Sequence, residues 1–72
     1  AIALNNKAVL YNQKGHFTDA QSTVNQAIQI AEVKNLDKSI LAIMYNNKAY
    51  FQQVVGQNQK ALEFYETALK MV

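Results

Sequence analysis

One feature constrains this chain before any other: it repeats itself at a spacing of 41 residues. The tetrapeptide NNKA occupies Asn5 to Ala8 and again Asn46 to Ala49. Residues 1–31 set against 42–72 without a gap give nine identities: Ala1/Ala42, Ile2/Ile43, Asn5/Asn46, Asn6/Asn47, Lys7/Lys48, Ala8/Ala49, Gly15/Gly56, Ala20/Ala61 and Ala27/Ala68. Leu10/Phe51, Ile28/Leu69 and Ile30/Met71 match in type. Most of the matched positions are small or amide residues, which hydrophobicity alone would not conserve in place. The chain is therefore two copies of one supersecondary unit, and each unit needs a neighbour to cover its apolar side.

Each unit reads as two helices. The first helix is expected over 1–14, where Gly15 can take the left-handed conformation that stops a helix. FTDAQ then restarts the chain, with Thr18 as N-cap and Gln21 three residues on, the spacing of a capping box. The second helix is expected over 19–34, with Ala20, Val24, Ala27, Ile28 and Ala31 on one face. KNLD (34–37) links the units and Asp37 caps the third helix, expected over 38–55 before Gly56. Asn58 is the expected cap of a fourth helix that continues to the end. The absence of Pro and the presence of only two Gly suit such a helical chain.

At about 100° per residue, Ala1, Leu4, Ala8 and Tyr11 share one side of the first helix. Ile2, Asn5, Asn6, Val9, Asn12 and Gln13 share the other. In the third helix Tyr45, Ala49 and Gln52 lie opposite Ile43, Asn46, Asn47, Tyr50, Gln53 and Val54. The first set alternates large and small, so a partner helix can approach closely at the alanine. The second set mixes amides with apolar groups, unlike a plain solvated surface rich in Lys and Glu.

ALNNKAVLYNQKGHFTDAQSTVNQAIQI resembles a tetratricopeptide repeat. The resemblance rests on Leu4, Ala8, Tyr11, Gly15, Phe17, Ala20, Val24 and Ala27, and in the second copy on Tyr45, Ala49, Gly56, Ala61, Tyr65 and Ala68. It covers nearly the whole chain. The period of that family is ordinarily about 34 residues. Seven more residues are close to two helical turns, which keep the same faces inward. That extra length is expected in 32–41. The longer unit and its LNN are similar to the kinesin light chain repeats. Armadillo and HEAT repeats have comparable periods but lack a glycine between the helices at this place. Where the family carries an apolar residue this chain has Lys7 and Lys48, and it has Gln52 for a tyrosine and Asn58 for an aromatic. The lysines are expected to lay their stems on apolar surface and keep the ammonium wet.

The resemblance implies an all-α fold, a right-handed α-solenoid of two helix-turn-helix units with four antiparallel helices. Unit one is expected over 1–36 and unit two over 37–72. It implies a scaffold that binds an extended peptide or partner segment on the concave face lined by the first helix of each unit. The candidate residues are Asn5, Asn6, Val9, Asn12, Gln13, Asn46, Asn47, Tyr50 and Gln53. By analogy with the light chains, Asn6 and Asn47 would touch the peptide backbone, since an amide side chain both donates and accepts. Such an Asn can instead hydrogen-bond to the adjacent unit and fix the stacking. A peptide-sensing array driving an output domain and an architectural spacer in a large assembly are the competing readings. Flanking repeats or self-association are expected, because two units are fewer than the three or so such arrays ordinarily need.

Other functions find little footing. The net charge of +2 comes from seven scattered lysines and no arginine, unlike a concentrated phosphate-binding surface. No apolar run approaches the ~18 residues that span a bilayer, so a cytoplasmic protein with neither membrane nor nucleic-acid partner is expected. Without cysteine there is no disulfide and no thiolate metal site. His16 follows a helix-ending glycine and reads as a turn residue. Asp19, Glu32, Asp37, Glu63 and Glu66 are dispersed, with Glu63, Glu66 and Lys70 spaced as surface pairs. No phosphate-cradling glycine loop is present. Neither catalytic residues, nor a metal, nor a cofactor is expected.

Overall fold

The computed structural model describes residues 2–35 and 37–71, and among them every regular element is a helix: α1 (Ile2–Gln13), α2 (Phe17–Val33), α3 (Lys38–Val54) and α4 (Asn58–Leu69). Ala1 of the expected inward face, Leu36 of the linker and Val72 lie outside the described residues. α1 packs on α2 and α3 on α4; α2 then packs on α3, and α1 touches α3. This is a short solenoid of two helical hairpins, with α1 and α3 side by side on one face.

The helix ends follow from backbone chemistry. Gly15 has φ 82° and Gly56 has φ 85°, the left-handed region that costs a residue with a Cβ about 1–2 kcal/mol. At the first turn the Gly15 amide donates to the Asn12 carbonyl at 3.1 Å and the His16 amide to the Tyr11 carbonyl at 2.9 Å. At the second, Gly56 donates to Gln53 at 3.0 Å and Gln57 to Gln52 at 2.9 Å. Both turns are thus the same paired C-terminal motif. Asn35, with φ 56°, ends α2 in the same region.

Two of the expected caps are not used. α2 begins at Phe17, with His16 in the capping position and no side-chain capping bond. The Ala20 amide already reaches the His16 carbonyl at 2.9 Å, so the helix restarts directly after the glycine turn and Thr18 lies inside it. α4 likewise has Gln57 in the cap position, and Asn58 is its first helical residue. Asp37 does cap α3: its carboxylate accepts from the Ser39 amide at 3.0 Å. That bond to the Ser39 N–H holds the carboxyl below its ordinary value of 3.8.

The core is built mostly from alanine. Ala8, Ala20, Ala27, Ala31 and Ala49 are fully buried, and Ala42, Ala61 and Ala68 nearly so. Helices meeting at alanine approach closely, which leaves few large side chains to supply apolar burial. Phe51, Met44 and Val24 are the largest that are fully covered. Leu4, Val9, Tyr11, Ile40, Leu41 and Tyr45 close around them. The inward face expected for α2 is the observed one, with Ala20, Val24, Ala27, Ile28 and Ala31 all buried.

The two odd lysines settle beside aromatic rings. Lys48 Nζ stands 4.4 Å from the centre of the Phe64 ring, and Lys7 Nζ 5.7 Å from that of Tyr11. Each exchanges an apolar contact for a cation over a ring face. Burial pushes the Lys48 ammonium below its ordinary pKa, partly opposed by the nearby Glu32 carboxylate. Burial, and then the same Glu32, raise the Tyr45 hydroxyl.

Two outcomes are expected. Phe51→Ala removes the largest covered side chain, at about 3–5 kcal/mol against a total of about 4–11 kcal/mol for a chain of this length. A collapse of the cooperative thermal transition in circular dichroism checks it. Asp37→Ala should lower Tm at neutral pH. Because the folded-state pKa is depressed, that contribution is present above 3.8 and is lost as pH falls through and below it. Tm measured from pH 6 to pH 2 should therefore show the variant and parent curves converging.

Candidate partner-binding face

α1 and α3 form a shallow channel whose floor is crossed by one amide bridge. Asn47 Nδ2 donates to Asn5 Oδ1 at 3.2 Å. The bridge joins the first asparagine of one NNKA to the second of the other. Asn5 is buried, only 7% exposed, so its side chain is committed to stacking and is not offered to a ligand. Asn47 is half-buried and borders the channel. Asn6 and Asn46 are exposed.

A hollow lies on each side of the bridge. The larger, about 470 Å³, brings together five of the candidate residues: Val9, Asn12, Gln13, Asn47 and Tyr50. Phe17, Phe51 and Val54 complete its wall. Phe17 and Phe51 were not among the candidates. Phe17, named from the sequence only for the resemblance it carries, stands 37% exposed at the start of α2 and lines the hollow with residues of α1 and α3. The smaller hollow, about 250 Å³, is lined by Asn5 and Asn6 together with Ile2, Ile40, Ile43 and Met44. Neither hollow has a charged residue in its lining.

The remaining candidates fall elsewhere. Asn46 lines neither hollow. Gln53 turns toward α4, where its carbonyl oxygen accepts from the Tyr65 hydroxyl at 3.4 Å and it borders a separate groove with Leu62. The helical wheel grouped Gln53 with Asn46, Asn47 and Tyr50 as a candidate for the α1/α3 face; in the structure it meets α4 instead. Its counterpart Asn12 does line the larger hollow, with a buried Oδ1 that has no partner. A second amide pair ties α2 to α3: Gln52 Nε2 donates to Gln21 Oε1 at 2.8 Å, while the buried Gln52 Oε1 is left without a partner. Gln52 was expected on the inward side and is buried there, 8% exposed.

His16 is exposed, edge-on to Tyr11 with ring centres 6.2 Å apart. Among the described residues no group of three His, Cys, Asp or Glu is placed to hold a metal ion. No described helix is long and apolar enough to cross a membrane.

The amide bridge sets a measurable expectation. Asn5→Ala should cost about 1–2 kcal/mol, while Asn6→Ala should stay within about 0.5 kcal/mol. An Asn5/Asn47 double-mutant cycle read by chemical denaturation should return a coupling of about 0.5–1.5 kcal/mol, and an Asn6/Asn46 cycle close to none.

Comparison with known proteins agrees with the two hairpins. The family model described as Tetratricopeptide repeat matches residues 1–34 and again 42–71. A curated relative, the "Uncharacterized protein ycf37" of Cyanophora paradoxa, is 40% identical over 65 residues, which cover 90% of this chain and 36% of that protein. The chain thus spans about a third of the length of the curated relative it matches. No solved structure matches. Modules of this family generally serve in protein–protein interaction. Two matched repeats and four helices in the corresponding places establish that this chain belongs to the tetratricopeptide-repeat family.

Proposed function

We propose that the α1/α3 channel is a scaffold site that takes an extended, uncharged segment of a partner protein, with units 1–36 and 37–72 each giving one helix to it. The observation that carries the reading is the pair of uncharged hollows, walled by apolar and amide side chains, on either side of the Asn5–Asn47 bridge. Ile2 and Val9 mark the two hollows and lie seven residues apart on α1, about 10 Å at 1.5 Å per residue. A segment in the extended polyproline-II conformation advances about 3.1 Å per residue with three residues per turn, so two bulky apolar side chains three residues apart share a face and span about that distance. In this reading the side-chain amides of Asn47 and Asn6, which both donate and accept, pair with the segment's backbone. Tyr50, 51% exposed, supplies an aromatic wall, a type favoured at recognition surfaces. A cytoplasmic or other aqueous setting suits a channel of this kind.

The test uses a fluorescein-labelled neutral 12-residue peptide with two leucines three apart in a Ser/Gly background, and a control with both leucines replaced by serine. Fluorescence anisotropy should show binding of the first peptide only. Tyr50→Ala, which opens the larger hollow, and Ile43→Ser, which opens the smaller, should each weaken it about tenfold, or about 1.4 kcal/mol. Both residues are exposed, so Tm should barely move. Equal binding of the two peptides, or binding indifferent to both substitutions, would sink the proposal.

A further inference from the structure

We propose that the larger hollow of the α1/α3 channel is a tyrosine pocket, in which a partner segment seats a tyrosine ring with its hydroxyl on the Asn12 carboxamide. This rests on the channel reading and names the side chain that the larger hollow selects. The hollow lies at the junction of the two units, with walls drawn from α1, α2 and α3. One acceptor there is orphaned: Asn12 lines the hollow, and its Oδ1 is buried with no hydrogen-bond partner among the described residues. A buried acceptor without a donor keeps its desolvation penalty. A ligand that brings a donor relieves that penalty, so binding supplies what the fold alone leaves unmet. The χ2 torsion of asparagine is broad, so the carboxamide turns toward an incoming hydroxyl at small cost.

The walls decide which donor fits. Phe17 and Tyr50 both line the hollow with exposed ring surface, and Phe51 lies edge-on to Tyr50 with ring centres 6.3 Å apart. Aromatic rings gain from such edge and offset contacts, which favours a ring as guest. The space, about 470 Å³, suits a ring; the smaller hollow, about 250 Å³ and walled by isoleucine and methionine, suits an aliphatic side chain. An ammonium or guanidinium donor would leave water with no carboxylate in the lining to meet it. Serine and threonine bring a hydroxyl without a ring. An indole N–H donates but cannot accept, whereas a phenol hydroxyl does both, and Gln13 in the same lining has amide N–H groups to give it. The absence of Lys and Arg from the lining also sets the tyrosine apart from its phosphate ester, which needs cationic partners.

The labelled two-leucine peptide supplies the test. One leucine is kept for the smaller hollow, and the other becomes tyrosine, phenylalanine, tryptophan or phosphotyrosine. Each peptide is made in both orders, because a segment can run either way along the channel. Anisotropy should place the better tyrosine peptide about tenfold above its phenylalanine partner, the worth of one hydrogen bond made away from water. The phosphotyrosine peptide should not bind. Asn12→Leu removes the acceptor at similar side-chain size; because the lost oxygen is unpaired, Tm should hold or rise. Tyrosine and phenylalanine peptides should then bind that variant alike. Four results overturn the inference: tyrosine and phenylalanine equal on the parent, tryptophan tighter than tyrosine, phosphotyrosine retained, or a tyrosine preference that survives Asn12→Leu. Each of these leaves the two-leucine peptide bound and the channel reading standing. Failure of the two-leucine peptide and of every aromatic peptide to bind removes the channel reading and this inference together.

Discussion

The structure depends on how closely its helices approach at alanine. Ala8 meets α2, whose own face presents Ala20, Ala27 and Ala31, and Ala49 repeats the arrangement against Ala61 and Ala68. A methyl group adds little apolar area, so these contacts set distance more than they supply free energy. Energy has to come from the few large groups that close backbones leave room for, chiefly Phe51 and Met44. Both sit on α3, the helix that packs on both sides. α3 is therefore where the two hairpins become one folded unit.

Close packing without large side chains leaves register poorly determined, since alanine faces can slide past one another at small cost. Polar pairs answer that need. Asn47–Asn5 and Gln52–Gln21 each join residues of different units and each works only at one alignment. The second leaves an acceptor buried and unpaired, an expense of the order of 1–3 kcal/mol in general. A polar interface that costs stability while fixing alignment has the logic of specificity over strength.

The repeat, the helix count and the glycine turns were legible because they rest on backbone rules that hold wherever a residue sits. Gly15 and Gly56 need φ above zero whatever surrounds them. The inward face of α2 was legible because its apolar residues recur at helical spacing and are buried whether α1 or α3 covers them. The caps misread at Thr18 and Asn58 show the limit: a capping residue is informative only if the chain has room to leave the helix, and the three-residue turns here do not give it that room. Gln53 and Asn5 were beyond the reach of a wheel, because α3 has α1, α2 and α4 around it, α1 has both α2 and α3, and a wheel knows only in from out. The lysines needed the partner rings: Phe64 is far from Lys48 in sequence and close to it only once α3 and α4 have packed.

The two copies of NNKA are identical in letters and unequal in setting. In the first copy Asn5 is covered and Asn6 is bare; in the second Asn47 is engaged and Asn46 is bare. Each copy thus uses one asparagine toward its neighbour and leaves the other facing away from it. A sequence written identically twice cannot encode that difference locally. The difference comes from position in the stack, where the first copy has a neighbour on its α2 side and the second on its α3 side. The pair of amides is best understood as a two-ended connector: one Asn accepts from the unit after it, and the other donates to the unit before it. Two adjacent asparagines are needed for that because a helix turns about 100° per residue, so neighbouring positions face neighbouring units. A single asparagine per unit could reach one side only.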